Sequence, residues 1–320
     1  MIHYLLQSNV PMVAALGLLI AFGGTCFFTA KLSHLLPRDG GREFAHDGKL
    51  SAGKPRGAGI IFILVFVAAT LLFAPINLEI IIYLILVAAE MLTGYMDDAS
   101  DKPWGELKKG LLDLVIAIVL AVTYLNFNSN TIWLPVPDAE VTLHPLLFGA
   151  LIVVLVWTSI NVTNCADGVD GLSGTLTIIT LATFYVIAGA VENRDDFTFL
   201  LLMFIICILG YLWYNATPSK LMMGDAGSRA MGIFISIAAL KSGCPLLYIP
   251  VAIVLILDGG LGLLKVFLIR AFKIYIMKNI RTPLHDHVRK NLGWSNTQTV
   301  FRFAIIQIVV SIAVVYMIVL

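Results

Sequence analysis

Residues 145–172 read PLLFGALIVVLVWTSINVTNCADGVDGL, a stretch that is apolar at its start and polar at its end. The apolar part, 145–163, is close to the roughly 20 residues that a helix needs to cross the hydrocarbon core of a bilayer. The polar part holds Asn161, Asn164, Asp167 and Asp170 within ten residues. The stretch therefore predicts a membrane-spanning helix that ends in a polar loop at the membrane surface.

Apolar runs of this kind recur along the whole chain, which is 59% hydrophobic and only 13% charged. Soluble domains carry about a quarter charged residues. Because lipid offers no hydrogen bonds to a backbone, runs of this length must be helices. We predict an all-α integral membrane protein with one domain, 1–320, built as a bundle of ten transmembrane helices. The predicted helices cover 9–31, 58–74, 78–95, 109–126, 145–163, 172–191, 197–214, 229–243, 245–272 and 299–320.

The distribution of Lys and Arg predicts the orientation of the bundle. Basic residues concentrate in the segments that follow the first, third, fifth, seventh and ninth helices, and these segments share one side. The other side carries mainly acids, such as Glu79, Asp138 and Glu140. Loops rich in Lys and Arg face the cytoplasm. The basic side is therefore predicted to be cytoplasmic and both termini extracytoplasmic.

The ninth predicted helix is interrupted by Asp258, Gly259, Gly260 and Gly262. Paired glycines are a recognised cause of helix kinks. We expect a break at this point, with the second half bent away from the bundle. A plain tilted span, with Asp258 paired inside the bundle, is the alternative.

Two acids, Asp97 and Asp98, stand at the cytoplasmic end of the third helix. Adjacent carboxylates repel one another unless a cation compensates them. A divalent metal, or a phosphate held through a metal, would resolve that repulsion. A solvated loop would also carry such a pair, so this signal alone is weak.

The loop 161–172 joins the fifth and sixth helices and pairs two amides with two acids, each acid being followed by glycine. Glycines let a backbone approach a ligand closely, and the acids can accept hydrogen bonds from a base or a ribose or coordinate a metal. The acid spacing of a calcium loop is absent, which excludes an EF-hand. A plain solvated turn is the alternative to a nucleotide-binding loop.

Three further segments lie on the same predicted side. Asp225 in Met223–Ser228 lies where a helix begins, so it either caps that helix or binds Mg²⁺ beside a phosphate. The segment 281–295 carries Arg281, His285 and His287, which fit phosphate contacts better than a closed zinc site with its four ligands. The segment 49–59 holds glycines and cations but lacks a P-loop pattern, and a basic membrane flank explains it better.

Taken together, these motifs resemble those of the polyprenyl-phosphate N-acetylhexosamine-1-phosphate transferases. The resemblance runs from about Lys49 to Phe303, with the motifs in the family's order, and its most specific parts are 161–172, 224–228 and 283–295. The most similar branch is the phospho-N-acetylmuramoyl-pentapeptide transferases. The resemblance implies a ten-helix bundle with a broken ninth helix in the bacterial inner membrane, an active site that faces the cytoplasm, and a homodimer.

The resemblance also implies a reaction. Phospho-MurNAc-pentapeptide would pass from UDP-MurNAc-pentapeptide to undecaprenyl phosphate within the bilayer, giving lipid I and UMP with Mg²⁺ as cofactor and no nucleic acid as partner. A sibling enzyme that uses UDP-GlcNAc remains open. A secondary transporter is a more remote alternative, because transporters place ionisable residues near mid-membrane and not at helix ends.

Motif matches and residue chemistry together give the predicted site. We expect Asp97 to deprotonate or orient the lipid phosphate for direct attack, although a two-step route through a phosphorylated aspartate stays open. Asp286 replaces the middle histidine of the branch, and Met222 stands where the branch has an aromatic residue. The predicted catalytic residues are Asp97, Asp98, Asp167, His285 and His287; the metal ligand is Asp225; and the predicted nucleotide or substrate contacts are Asn161, Asn164, Asp170, Met222, Lys102, Lys109 and Arg281.

Overall fold

The computed structural model describes residues 10–41, 51–100, 102–191 and 195–319, so the predicted helix ends at residues 9 and 320 lie outside the described part. Helices occupy all ten predicted segments. In chain order the α-helices are α1 Val10–Leu32, α2 Gly59–Phe73, α3 Leu78–Asp98, α4 Glu106–Phe127, α5 Pro145–Cys165, α6 Leu172–Ala190, α7 Asp196–Asn215, α8 Gly224–Lys241, α9 Tyr248–Val251, α10 Ile253–Leu255, α11 Leu261–Phe272, α12 Leu284–Asn291 and α13 Asn296–Val319. Helix α12 lies outside the ten predicted segments.

Seven of the described helices are long and apolar enough to cross a membrane, and the count is eight if the bent segment from Pro245 to Phe272 is one span. Helix α2 is apolar but has only 15 residues. Helix α8 carries three charged residues among its 18. The prediction of a multi-pass, mostly helical membrane protein is therefore confirmed, while ten spans remain a prediction.

Helix α8 forms the centre of the bundle. Every residue from Gly224 to Leu240 is buried, and the helix packs against α2, α3, α5 and α6. Phe234 stacks on Phe204 of α7 with ring centroids 4.1 Å apart. A helix that is apolar and buried on all sides belongs to the core. Its two ends carry Asp225 and Lys241, and they define the two ends of the molecule, which we call the site end and the far end.

An ionic cluster ties helices together at the far end. Lys241 Nζ lies 3.2 Å from Glu79 Oε2, 2.8 Å from Asp195 Oδ2 and 2.9 Å from Asn128 Oδ1. These four residues stand at or beside the ends of α8, α3, α7 and α4. The cluster therefore fixes the far end without contributing to the site end.

A β-hairpin departs from the all-helical prediction. Strands β1 Thr131–Leu134 and β2 Ala139–Thr142 pair in antiparallel register within the connection between the predicted helices 109–126 and 145–163. β-Branched and aromatic residues favour strands. Trp133 Nε1 donates to Asp138 Oδ1 at 2.9 Å across the turn, and its backbone N–H donates to Gly243 O at 3.2 Å. The hairpin thus packs on the turn that follows α8.

The ninth predicted helix is broken, but the predicted position of the bend is wrong. The segments Pro245–Val251 and Ile253–Phe272 meet at 67°, before the glycine pair, which lies in a π-helical turn at Ile256–Gly260. Gln307 of α13 supplies the hydrogen bonds that the helix loses. Its Nε2 donates to Val251 O at 2.7 Å, and its Oε1 accepts from Val254 N at 3.0 Å. A residue 53 positions away in the chain thus stabilises the bend.

Replacing Gln307 by Leu should lower the melting temperature of the detergent-solubilised protein. Gln307 is fully buried, so the Val254 N–H would lose its acceptor at a cost of about 1–3 kcal/mol. Val309→Leu on the exposed face of α13 is the matched control and should leave the melting temperature unchanged. Equal melting temperatures for both variants would show that the bend does not depend on Gln307.

Candidate active site

Carboxylates from two separate motifs meet at the site end. Asp97 and Asp98 close α3, and Asp225 lies in the first turn of α8. The three residues are only 6%, 9% and 7% exposed. Like charges so close together repel strongly unless cations neutralise them. Their arrangement therefore requires cations within the same cluster.

Lys109 in the first turn of α4 joins two of these acids. Its Nζ forms an ion pair with Asp97 Oδ2 and lies 3.0 Å from Asp225 Oδ2. Asp97 Oδ1 also accepts from the backbone N–H of Trp104 at 2.6 Å. A single ammonium group is thus the common partner of α3 and α8.

Arg56 joins the acids from the other side. Its Nε lies 2.8 Å from Asp98 Oδ1, and its terminal nitrogens lie 3.5 Å from Asp225 Oδ1 and 3.7 Å from Asp39 Oδ1. Burial opposes the charge on Arg56, but the surrounding carboxylates outweigh burial and raise its pKa above the ordinary value. Arg56 is therefore a permanent cation. We call Asp97, Asp98, Asp225, Lys109 and Arg56 the site cluster.

The loop that carries Arg56 is attached to the segment before α8. The backbone N–H of Met222 donates to Pro55 O at 2.8 Å, and Ala58 N donates to Met222 O at 3.0 Å. Met222, a predicted substrate contact, is half-buried here. The backbone of Met222 holds the Arg56 loop in place, and these hydrogen bonds do not involve the Met222 side chain.

The start of α8 receives the carboxylate of Asp98. Gly224 adopts a φ of +67°, and a Cβ at this position would overlap that carboxylate. Ala226 N donates to Asp98 Oδ2 at 3.1 Å. Free N–H groups and the helix dipole favour an anion at a helix N-terminus. Asp98 occupies this position, and Asp225 is left to face Lys109 and Arg56.

The oxygen donors of the site cluster fit a magnesium ion that arrives with a substrate. Among the residues that the structure describes, no three His, Cys, Asp or Glu side chains are grouped to hold a metal by themselves. Mg²⁺ is usually bound by one or two carboxylates together with waters and substrate phosphates. Asp225 offers such a carboxylate beside Asp97, so the donor chemistry suits this mode of binding.

The acids of the loop 161–172 are held by neighbouring segments. Asp167 Oδ1 accepts from Ser173 Oγ at 2.6 Å. Asp170 Oδ2 accepts from Ser219 N at 3.2 Å and lies 3.9 Å from Lys54 Nζ. Both carboxylates are half-buried at the site end. The segment around Lys54 thus connects this loop with the loop of Arg56.

The two asparagines before these acids have different surroundings. Asn161 Nδ2 donates to Asp113 Oδ2 at 3.0 Å and to Trp157 O at 2.9 Å, so its amide is directed into the bundle. Asn164 is half-buried, and its backbone carbonyl accepts from Asp167 N at 3.1 Å. Their binding roles remain predictions.

The histidine segment reaches the same end through α12. His285 is buried; its backbone N–H donates to Asp258 Oδ1 at 2.7 Å, and its Nδ1 lies 2.8 Å from Asp258 Oδ2. A Cβ on Gly168 would overlap the His285 ring, so this segment touches the loop 161–172. His287 Nδ1 accepts from Arg281 N at 3.3 Å.

The structure thus gathers motifs that lie far apart in the chain. Lys102 and Arg281 are exposed at the same end, and their roles too remain predictions. Lys49, Leu50 and Asp101 lie outside the described residues. Sequence reasoning missed three residues that hold the site: Arg56, Lys54 and Asp258. The glycines at 53, 57 and 59 were the available signal for the first two, because they mark a shaped loop and not a simple basic flank.

Comparison with known proteins agrees with this geometry. Residues 80–243 match the family described as Glycosyl transferase family 4. A phospho-N-acetylmuramoyl-pentapeptide-transferase from Treponema pallidum (strain Nichols) is 40% identical over 95% of this chain and 88% of its own. Enzymes of the same name from Symbiobacterium thermophilum and Borrelia garinii subsp. bavariensis are 30% and 28% identical, over 82% and 88% of this chain and 81% and 86% of their own.

The match covers the end of α3, the start of α4, the loop 161–172 and the start of α8, whereas Arg56, Asp258 and His285 lie outside it. The Treponema pallidum enzymes extend the similarity to 95% of the chain. The chain therefore belongs to glycosyl transferase family 4 and, within it, to the phospho-N-acetylmuramoyl-pentapeptide-transferase branch.

Proposed function

We propose that the protein transfers phospho-MurNAc-pentapeptide from UDP-MurNAc-pentapeptide to undecaprenyl phosphate, which gives lipid I and UMP in peptidoglycan biosynthesis. The observation that carries the proposal is the site cluster, in which Lys109 and Arg56 join Asp97, Asp98 and Asp225 at one end of the bundle. The names of the relatives supply the transferred group, phospho-N-acetylmuramoyl-pentapeptide, and the family resemblance supplies the donor and the acceptor.

The reaction joins two phosphates. An oxygen of the lipid phosphate forms a bond to the β-phosphorus of the donor, and the bond from that phosphorus to the bridging oxygen breaks. The electron pair leaves with UMP. Asp97 takes the proton of the lipid phosphate or orients its attacking oxygen. Preorganised cations stabilise charge that develops on phosphoryl oxygens, which is the role of Lys109 and Arg56.

Asp225 is the residue that would hold Mg²⁺, and the ion would neutralise part of the charge on the donor diphosphate. The five groups of the site cluster carry three negative and two positive formal charges, so they leave no positive surplus for two phosphorylated substrates. We assign His285 to the sugar side of the donor, and its hydrogen bond to Asp258 would orient the ring for that contact.

The proposal includes the location of the site. The excess of Lys and Arg near the site end supports a cytoplasmic active site. The family resemblance supports ten spans, which would include α2 and α8, and an even number of spans would leave both termini on the extracytoplasmic side. The bacterial inner membrane and a homodimer complete the proposal, the latter resting on the family resemblance alone.

Asp97→Asn should reduce kcat for UMP release by about 10²–10⁴-fold, the range over which a positioned acid–base group contributes. The assay uses purified protein with undecaprenyl phosphate and UDP-MurNAc-pentapeptide in detergent micelles. Asp196→Asn, at the exposed start of α7, is the control and should keep wild-type turnover. Near-normal turnover of Asp97→Asn would contradict the role of Asp97, and rapid-quench capture of sugar phosphate on Asp97 would replace direct attack by a two-step route.

Removal of divalent ions with EDTA should abolish UMP release, and added Mg²⁺ should restore it. Asp225→Asn should need a higher Mg²⁺ concentration for half-maximal rate, because a neutral amide binds a hard cation more weakly. A Mg²⁺ titration of both proteins measures the difference. An unchanged titration curve would remove Asp225 from the metal site.

The donor should be UDP-MurNAc-pentapeptide and not UDP-GlcNAc. Each labelled donor is incubated with the protein and undecaprenyl phosphate, and labelled lipid product and UMP are measured. Faster reaction with UDP-GlcNAc would indicate the sibling activity. Uptake of a solute into proteoliposomes without release of UMP would indicate a transporter.

A further inference from the structure

A second layer of charges lies below the site cluster. Arg229 Nε lies 2.9 Å from Glu90 Oε1, and another guanidinium nitrogen of Arg229 forms an ion pair with Asp113 Oδ1. Glu90 and Asp113 are fully buried, and Arg229 is 3% exposed. We call these three residues the lower triad. All three residues lie inside the bundle, below the partly exposed site cluster.

The lower triad uses the same three helices as the site cluster. Arg229 follows Asp225 by one turn of α8, Asp113 follows Lys109 by one turn of α4, and Glu90 precedes Asp97 by two turns of α3. Each turn corresponds to about 5.4 Å along a helix. The two layers are therefore stacked along a common direction.

Within this stack the sign of the charge alternates along each of α4 and α8, and it also alternates from one of these helices to the other. Asp225 of α8 faces Lys109 of α4, whereas one turn deeper Arg229 of α8 faces Asp113 of α4. Sliding α4 by one turn along α8 would place Asp113 against Asp225, or Lys109 against Arg229. Both arrangements oppose like charges. α4 reaches α8 through these ion pairs, and their alternation opposes a one-turn slip of α4 along α8.

Burial of three charged side chains lowers the stability of the folded state. A protein in which apolar residues of similar volume replace such charges is often equally stable or more stable. The rest of the α8 surface is mostly apolar and small, as expected of a core helix. Stability alone therefore does not explain why charges stand at these three positions. Buried ionic groups are best attested as devices that specify register.

From these contacts we infer that Arg229, Glu90 and Asp113 form a positioning network for phosphoryl transfer, which fixes α4 against α8 so that Lys109 stays between Asp97 and Asp225. Asn161 belongs to this network through its hydrogen bond to Asp113, and it connects the network to the loop 161–172. This inference rests on the proposed function.

Loss of the lower triad should affect turnover and not donor binding, because Glu90, Asp113 and Arg229 are buried below the site cluster. The decisive variant replaces all three charges together, as Glu90→Leu, Asp113→Leu and Arg229→Met. We expect it to melt near the wild-type temperature, whereas Arg229→Met alone leaves two buried acids without their cation and should melt much lower. We expect kcat of the triple variant to fall about 10²-fold, since a displacement of about 1 Å is sufficient for such a loss. KM for UDP-MurNAc-pentapeptide should stay within about twofold.

A chemical readout separates this inference from the proposed function. Lys109 is partly exposed, and its two ion pairs should protect it from an amine-acetylating reagent, whereas Lys102 on the preceding connection is exposed and serves as the internal reference. The ratio of Lys109 to Lys102 acetylation, measured by mass spectrometry, should rise several-fold in the triple variant. The ratio does not depend on which donor or acceptor the protein uses. Failure of the wild type to release UMP would therefore reject the proposed function and leave this test intact.

The far-end cluster provides the matched control. Glu79→Leu with Lys241→Met removes a comparable ionic contact from the other end of α8 and should change neither kcat nor Lys109 acetylation. Wild-type kcat and a protected Lys109 in the triple variant would overturn the inference.

If the triple variant does not fold, Arg229→Lys provides the test, because a lysine cannot reach both acids as the guanidinium fork does. A rise in Lys109 acetylation then supports the network, and an unchanged ratio overturns it.

Discussion

The site depends on the neutralisation of three buried carboxylates by two cations. Asp97, Asp98 and Asp225 would drive the ends of α3 and α8 apart if Lys109 and Arg56 did not lie between them. The same balance prepares the site for phosphates. Cations already in place need no reorganisation when charge develops on a phosphoryl oxygen.

Much of the fold was predictable, because lipid leaves the backbone no alternative to helices. All ten apolar segments are helical, and the predicted break in the ninth is present. The position of the bend was not predictable. It depends on Gln307, whose hydrogen bonds to Val251 and Val254 form only in the folded bundle. The glycine pair gave a local signal, whereas the cause of the bend is tertiary.

The site was predictable as a list of acids and histidines, since each motif stands at a helix end on the basic side. The residues that pair with these acids and histidines were not predictable. Arg56 has the sequence context of a membrane flank, and only the pairing of its loop with Met222 brings it to Asp98. Likewise, Asn161 looks like a nucleotide ligand in the sequence, but its amide contacts Asp113 in the bundle. Pairings between distant segments follow from packing, which a pattern within one segment does not contain.

Gly259 has a different role from the one that its sequence predicts. A Cβ on Gly259 would overlap the Val162 carbonyl, so the π-helical turn lies directly against the last turns of α5. This contact brings Asp258 to His285, and His285 in turn lies against Gly168 of the loop that follows α5. π-Turns inside helices occur frequently at functional sites. Close packing of one turn therefore joins the broken helix, the histidine segment and the loop 161–172 into a single unit beside the site cluster.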